Sequence, residues 1–201
     1  MRLESTKAEN QYNVWLTDGD LEELRHDVDT FRDDLVLQLG AFVGLRAFEI
    51  PQIQPKHVKR TGDGEHYRLR VPAGKDTDGG TGKPRDAYLP RDVERDLHRF
   101  QNAEGLARTD PYVDLSTRGV RAVVKRIAKR TAERTGDDDF RHVSSHDLRR
   151  RFAQRLLVDE QTNPRVVMAV GGWNSFDAIE PYLHEPTESV VNDAFDGVDL
   201  T

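Results

Sequence analysis

The chain has 201 residues and a formal net charge of −6, which is enough for one well-buried domain and too little for two ordinary ones. It contains no cysteine, so disulfides and thiolate chemistry are excluded, and no apolar run approaches the roughly 20 residues of a membrane span. The sequence from Met1 does not have the pattern of a signal peptide, so we expect a cytoplasmic protein that does not bind membranes.

Helical periodicity is the main pattern in the first 50 residues. Residues 1–15 are predicted to be a loose lead-in. Thr17, with an acidic residue three positions later, predicts the start of a first helix, and apolar spacing predicts a second from about Thr30 to Val43. Gly44 is expected to end that helix, and Pro51 limits how far any further helix can extend.

A small antiparallel sheet is predicted in the middle of the chain, where alternating apolar and polar residues replace the helical pattern. A long polar hairpin tip, Gly74 to Pro84, separates its second and third strands. The predicted strands are 57–60, 66–71 and 85–89.

Helical spacing returns after Pro90, with one acidic loop at 136–141. The pattern predicts a single domain of the α+β class, mainly α-helical, with a small three-stranded antiparallel sheet inserted. The predicted helices are 92–100, 119–132, 146–158, 164–170 and a short one that carries Tyr182.

The charge is unevenly distributed along the chain. Residues 118–155 carry 12 basic and 5 acidic side chains, whereas 1–40 carry 4 and 10, and 156–201 carry 1 and 9. A basic band between acidic flanks is a candidate nucleic-acid surface. Within it, we expect one of Arg150 and Arg151 to face the DNA backbone and the other to face solvent, because they point in different directions from Arg149 on a helix.

Two arginines, a histidine and a tyrosine occur in an order that suits the attack of a phenol on a phosphodiester. The planar guanidinium groups of Arg46 and Arg149 could each bind two phosphate oxygens. His146 lies one helical turn before Arg149, so the two side chains share a face. A free tyrosine hydroxyl has a pKa of about 10 and needs a neighbouring base or a positive site to react. Tyr182 is the candidate nucleophile.

These motifs resemble the catalytic domain of the tyrosine recombinases, or phage-type integrases. The resemblance runs from about Leu16 to His184 and implies a lead-in at 1–15, a catalytic domain at 16–185 and an amphipathic tail at 186–201, without a separate upstream core-binding domain. Each motif alone is weak, but their common order is specific. The motifs are GLRAFE (44–49), a lysine within AGKDTDGGTGKPRDAYLP (73–90), HDLRR (146–150), VGGW (170–173) and EPYLH (180–184).

The resemblance assigns phosphate binding to Arg46, Arg149 and Trp173, although the family more often has histidine where Trp173 stands. Tyr182 would attack phosphorus and leave a 3′-phosphotyrosyl bond. His146 would move protons at the phosphate or at Tyr182.

Three further residues have supporting or alternative roles by the same resemblance. Lys75, at the hairpin tip, would protonate the leaving 5′-oxygen, and Lys83 is the second candidate for that general acid. Glu49 would not react but would orient Arg46 or His146. Each of these residues taken alone could instead have a purely structural role, as part of a surface ion pair, as a charge in a flexible loop or as an aromatic side chain of the core.

The function implied is that of a site-specific DNA recombinase, or integrase, which cuts and rejoins double-stranded DNA as a homo-tetramer. Such an enzyme needs no cofactor and no metal ion, and it has no small-molecule substrate. The alternative is a non-catalytic DNA-binding or regulatory remnant that keeps the integrase fold.

Overall fold

The computed structural model describes residues 1–6, 12–72 and 84–183, which form a mainly helical α+β fold with two small antiparallel sheets. This confirms the predicted fold class. In the described ranges the strands are β1 Arg2–Ser5, β2 Tyr12–Trp15, β3 Val58–Arg60, β4 Tyr67–Val71 and β5 Arg85–Leu89. The α-helices are α1 Asp18–His26, α2 Phe31–Ala41, α3 Arg91–Glu104, α4 Thr117–Thr135, α5 Ser145–Gln154 and α6 Pro164–Gly171.

Capping residues set the starts of the helices that carry the site. Thr17 and Asp20 form the predicted capping box at α1. Ser144 and Asp147 form another at α5, where the Asp147 carboxylate accepts the Ser144 backbone N–H at 2.8 Å. α5 continues into a π-helical turn, Arg155–Asp159, close to the predicted end of that helix.

The predicted three-stranded sheet is confirmed, in the order β3-β4-β5 with both pairs antiparallel. Leu69 lies opposite Val58 and Ala87, and both Leu69 and Ala87 are fully buried. Arg85, at the start of β5, lies on the same inward face as Ala87, because successive side chains of a strand alternate between faces. The sheet therefore directs one charged side chain toward the core.

The prediction of a loose lead-in at residues 1–15 is wrong. β1 and β2 pair in antiparallel register, with Arg2 opposite Trp15 and Ser5 opposite Tyr12. Val14 and Trp15 are buried, and the Val14 backbone N–H donates to Asp147 of α5 at 3.0 Å. The strands were missed because β1 is short and mostly polar, so its stability comes from pairing and from packing on α5 rather than from a local pattern.

Much of the basic band is neutralised within the protein. Three arginines of α4 are partly exposed but are paired with acidic residues of α2 and of the connection between α1 and α2, in the ion pairs Arg126–Asp33, Arg130–Asp29 and Arg134–Asp27. The acidic flank and the basic band are therefore largely two sides of one intramolecular interface.

The expectation that Arg150 and Arg151 face DNA and solvent is also wrong, since both are buried. Arg150 binds Asp147 and donates to the Asn13 amide oxygen at 2.8 Å. Arg151 donates to Asp18 at 2.7 Å and to Asp159 at 2.8 Å. Helical angles alone gave the directions of the two side chains but not the acidic residues that the fold places there.

None of the helices in the described ranges combines the length and apolarity that a bilayer crossing requires. In the same residues, histidine and carboxylate side chains nowhere gather in a group of three or more that could hold a metal ion.

We predict that Gly44→Ala destabilises the protein by about 2–4 kcal/mol, whereas Gly136→Ala costs about 1 kcal/mol. Both glycines have φ of 73°, but a Cβ at Gly44 would lie 2.4 Å from the Phe152 ring, and one at Gly136 would meet no atom of a described residue within 4 Å. Urea unfolding of the two variants measures the difference. Equal losses of stability in the two variants would show that the clash with Phe152 adds nothing to the cost of a side chain at Gly44.

Candidate active site

Arg46, Arg149, Trp173 and Tyr182 come together although they are distant in sequence. Arg46 follows the turn that ends α2, and Arg149 lies in the middle of α5. Trp173 follows the C-terminus of α6, and Tyr182 ends the 3₁₀ helix Glu180–Tyr182. The ends of α2 and α6 thus deliver side chains to one face of α5.

Arg149 is the centre of this cluster and is only 2% exposed. One of its amino groups donates to the Gly44 carbonyl, and its guanidinium carbon lies 3.9 Å from the centre of the Trp173 ring. Its other amino group, Nη2, is buried and has no partner among the described residues. An unpaired buried donor costs free energy, so this N–H group is available to an oxygen acceptor brought by a ligand.

Burial and the nearby Arg46 lower the pKa of Arg149 to about 9, partly offset by the negative charge of Glu49. The guanidinium therefore remains charged at neutral pH while lying in a site that favours a neutralising anion. The Tyr182 hydroxyl is also within electrostatic range of Arg149. A phosphate at this position would relieve the repulsion between the arginines.

Arg46 is fixed by Glu49 and by the turn after α6. The Glu49 carboxylate accepts the Arg46 backbone N–H at 2.8 Å and its side chain at 3.2 Å. Arg46 also donates to the Gly172 carbonyl at 3.2 Å. Because Arg46 keeps 30% of its side chain exposed, it lies between the core and the surface, where it could reach a phosphate.

Arg85 completes this network and was not identified from the sequence. It donates to both oxygens of Glu49, at 2.6 and 2.9 Å, and to the Val170 carbonyl at 3.1 Å. The alternation of the strand could have identified it, because Arg85 occupies the same face of β5 as the buried residues Ala87 and Leu89. A buried arginine requires an acid, and Glu49 supplies it.

Glu49 is held ionised by the two arginines. Burial alone would raise its pKa, but hydrogen bonds and charge from Arg85, together with Arg46, hold it below 4.5. Glu49 contacts Arg46, one of the two residues it was expected to orient, and its orienting role stays a prediction. The described contacts do not include a Glu49 bond to His146, the other residue it was expected to orient.

Trp173 and Tyr182 form an aromatic wall beside Arg149. Their ring centres are 5.8 Å apart in an edge-to-face arrangement, and Trp173 stacks on Phe152 at 6.3 Å. Both rings are more than nine-tenths buried. Neither the indole N–H nor the tyrosine hydroxyl makes a hydrogen bond within the described ranges, so both polar groups are free for a ligand.

His146 lies in the first turn of α5, and its side chain is partly exposed to solvent and partly covered by the cluster. Partial burial and the positive charges of Arg150, Arg149 and Arg46 lower its pKa below 6.5, against the opposing effect of Asp147. The imidazole is therefore neutral at pH 7 and can accept a proton. It makes no hydrogen bond to any described residue.

Lys75 and Lys83, the two candidates for the general acid, lie outside the described residues, as do His184 and the predicted tail at 186–201. The assignment of the general acid remains a prediction from the sequence.

The model of the phage integrase family matches residues 14–188 of the chain. No curated protein sequence matches it. Among solved structures, the XerA recombinase is 18% identical with a TM-score of 0.64, over 91% of this chain and 64% of that one. The Tn1549 transposon integrase in complex with transposon right-end DNA is 16% identical with a TM-score of 0.68, over 95% and 68%.

The XerH site-specific recombinase, bound to a palindromic difH substrate in a post-cleavage complex, is 17% identical with a TM-score of 0.62, over 95% of this chain and 55% of that one. The chain thus spans 55% to 68% of the length of these three proteins. At such low identity, the likeness establishes the fold.

We predict that Glu49→Gln lowers the free energy of unfolding by about 3–5 kcal/mol at pH 7, because it leaves buried Arg85 without its counter-charge. The folded pKa of Glu49 lies below 4.5, so its contribution is complete above that pH and is lost as the pH falls below it. Urea unfolding at pH 7 and at lower pH should show the gap between wild type and variant narrowing in acid.

Glu133→Gln is the matched control, since Glu133 is half exposed and lies 3.7 Å from Lys129. A surface pair of this kind contributes about 0–1 kcal/mol. A loss equally small in Glu49→Gln would contradict the conclusion that Glu49 stabilises the fold by neutralising buried Arg85.

Proposed function

The chain belongs to the phage integrase family, the tyrosine recombinases, and from this premise we propose that it breaks and rejoins DNA at a specific site through Tyr182. One observation supports the proposal most directly, the buried and unpartnered Nη2 of Arg149. It lies in a cluster where Arg46 and the free polar groups of Trp173 and Tyr182 meet. That set of donors fits the oxygens of a phosphodiester and leaves a phenol beside it.

The proposed first step is an in-line attack of the Tyr182 oxygen on the scissile phosphorus. Its proton passes to neutral His146, the P–O bond to the 5′-oxygen breaks, and the leaving oxygen takes a proton from Lys75. The product is a 3′-phosphotyrosyl bond with a free 5′-hydroxyl. Attack by a 5′-hydroxyl of another strand reverses these steps, so rejoining needs no external energy source.

Charge stabilisation is assigned to the two arginines and Trp173. Negative charge on the non-bridging oxygens increases in the transition state, and fixed cations in a water-poor site stabilise it most. Trp173 covers the flat face of the Arg149 guanidinium and leaves its N–H edge open to phosphate. Its indole N–H could donate a hydrogen bond, but it cannot shuttle a proton.

The DNA surface that we propose continues from the site along α4. Arg118, Arg121 and Lys125 are exposed on one side of this helix, and the two arginines form no ion pair with any described residue. The Lys125 ammonium donates to the carbonyls of Arg141 and His142, close before α5. Duplex DNA lying along this row would present its backbone to Arg46 and Arg149, and a homo-tetramer would bring two duplexes together.

We predict that wild-type protein forms a covalent adduct with nicked duplex fragments of the genome that encodes it, and that Tyr182→Phe forms none. Loss of the hydroxyl removes the nucleophile and leaves the ring. Adducts are detected as protein-linked DNA after denaturation, at several salt concentrations because phosphate contacts weaken with salt. Tyr112→Phe is the control, since Tyr112 is equally buried but lies outside the cluster and burial raises its pKa to about 12.

Adducts in wild type and in Tyr112→Phe, but not in Tyr182→Phe, would support the enzyme, and sequencing them would give the target site. Salt-sensitive DNA binding without adduct in any protein would instead support the non-catalytic remnant. An adduct that persists in Tyr182→Phe would assign the nucleophile to another residue.

We predict a pH dependence of adduct formation governed by His146. Because its pKa is below 6.5, the base form predominates at pH 7, and the rate should fall as the pH drops below 6.5. His146→Gln should remove this acid limb and lower the rate by about 10²–10⁴-fold. Single-turnover rates between pH 5 and 8, with DNA affinity measured at each pH, test this. The same acid limb in the variant would exclude His146 as the base.

A further inference from the structure

The N-terminal strand β2 contacts the catalytic elements through three consecutive residues. The Asn13 amide oxygen accepts Arg150 at 2.8 Å, and the Val14 backbone N–H donates to Asp147 at 3.0 Å. Asp147 and Arg150 are the immediate sequence neighbours of His146 and Arg149 on α5. β2 therefore holds α5 at residues adjacent to His146 and Arg149.

The third residue, Trp15, reaches past α5 to the nucleophile. Its ring centre lies 6.4 Å from that of Tyr182, with the rings at 72° in an edge-to-face contact. Trp173 contacts Tyr182 in the same manner at 5.8 Å. The Tyr182 ring therefore packs against two indoles, one from the motif that follows α6 and one from the N-terminal sheet.

Trp15 is itself held on several sides and is only 5% exposed. Its indole N–H donates to the Glu4 carboxylate at 3.0 Å, across the strand pair. The guanidinium carbons of Arg2 and Arg150 lie 5.1 and 5.5 Å from its ring centre. A ring fixed by its own hydrogen bond and by two cations can serve as a rigid surface for a neighbour.

Tyr182 depends on such a surface because its own backbone is weakly constrained. It lies at the end of a single 3₁₀ turn, where its N–H donates to the Ile179 carbonyl at 2.9 Å. Its hydroxyl forms no hydrogen bond to a described residue. The direction of the phenol is therefore determined mainly by the aromatic rings around it.

We propose that Trp15 is a positioning residue for the recombination reaction, which aims the Tyr182 hydroxyl at phosphorus without touching the DNA. The proposal rests on the function proposed above. Through Trp15, the N-terminal sheet becomes part of the apparatus that orients the nucleophile.

The test uses the full chain with 3-fluorotyrosine in place of tyrosine, and Trp15→Leu as the main variant. The ¹⁹F resonance of Tyr182 is assigned by its loss in Tyr182→Phe. Removing the indole should shift that resonance. It should also slow adduct formation with the nicked genomic fragments by about 10- to 100-fold, because a small displacement of the attacking oxygen lowers the reaction rate strongly. DNA affinity should stay within about twofold, since Trp15 is buried and is not one of the residues proposed to bind phosphate.

Trp15→Phe and Val14→Ala are the comparison variants. Phenylalanine keeps an aromatic wall and should restore most of the rate, which also keeps the test informative if Trp15→Leu does not fold. Val14 is fully buried in the same strand, but its side chain belongs to the main core and not to the aromatic cluster, and alanine keeps the backbone N–H that donates to Asp147. Val14→Ala should therefore lower the unfolding midpoint without moving the Tyr182 resonance or the adduct rate.

An unchanged Tyr182 resonance in Trp15→Leu, or a normal rate despite a shifted one, would overturn the proposal. Equal slowing in Val14→Ala would also overturn it, because general destabilisation would then explain the effect. If the wild type forms no adduct, it is the proposed function that fails, and the role of Trp15 in that reaction falls with it, whatever the fluorine signal shows.

Discussion

The site depends on one buried carboxylate. Glu49 accepts hydrogen bonds from Arg46 and Arg85, and these two arginines also donate to backbone carbonyls of the turn that ends α6. A single anion thus joins the end of α2, the start of β5 and the end of α6. Its negative charge offsets part of the repulsion between Arg46 and Arg149, which would otherwise oppose placing them together. Without the Glu49 carboxylate, Arg46, Arg85 and Arg149 would lie close together with no buried anion between them.

The sequence predicted the main features of the fold because most of its elements have strong local signals. Capping residues mark α1 and α5, and alternation marks β3 to β5. The motifs also predicted the cluster of Arg46, Arg149, Trp173 and Tyr182. The N-terminal sheet was not predictable in this way, because β1 becomes a strand only by pairing with β2, and β2 is stable only against α5.

The number of basic residues in a segment did not show which of them remain free to bind a ligand, because many are paired with acidic residues in the fold. The excess of arginine in residues 118–155 indicated a DNA surface, but three arginines of α4 bind acids of α2 and of the connection between α1 and α2, and Arg150 and Arg151 lie buried against acids of the fold. Sequence reasoning missed Arg85 for the same reason, since its function follows from Glu49, 36 residues away. What a sequence does not show is which charges the tertiary fold brings together.

The site is an exception to the rule that buried polar groups are satisfied. The fold satisfies one Arg149 amino group with the Gly44 carbonyl and leaves the other without a partner among the described residues. Such a donor destabilises the free protein by about 1–3 kcal/mol, which a phosphate oxygen would recover on binding. The aromatic rings behave in the opposite way, since Phe152, Trp173, Trp15 and Tyr182 are packed before any ligand arrives. The fold thus leaves one Arg149 N–H group unsatisfied while it packs the Tyr182 ring, and under the function proposed above this arrangement would preorganise the site for the transition state of phosphoryl transfer.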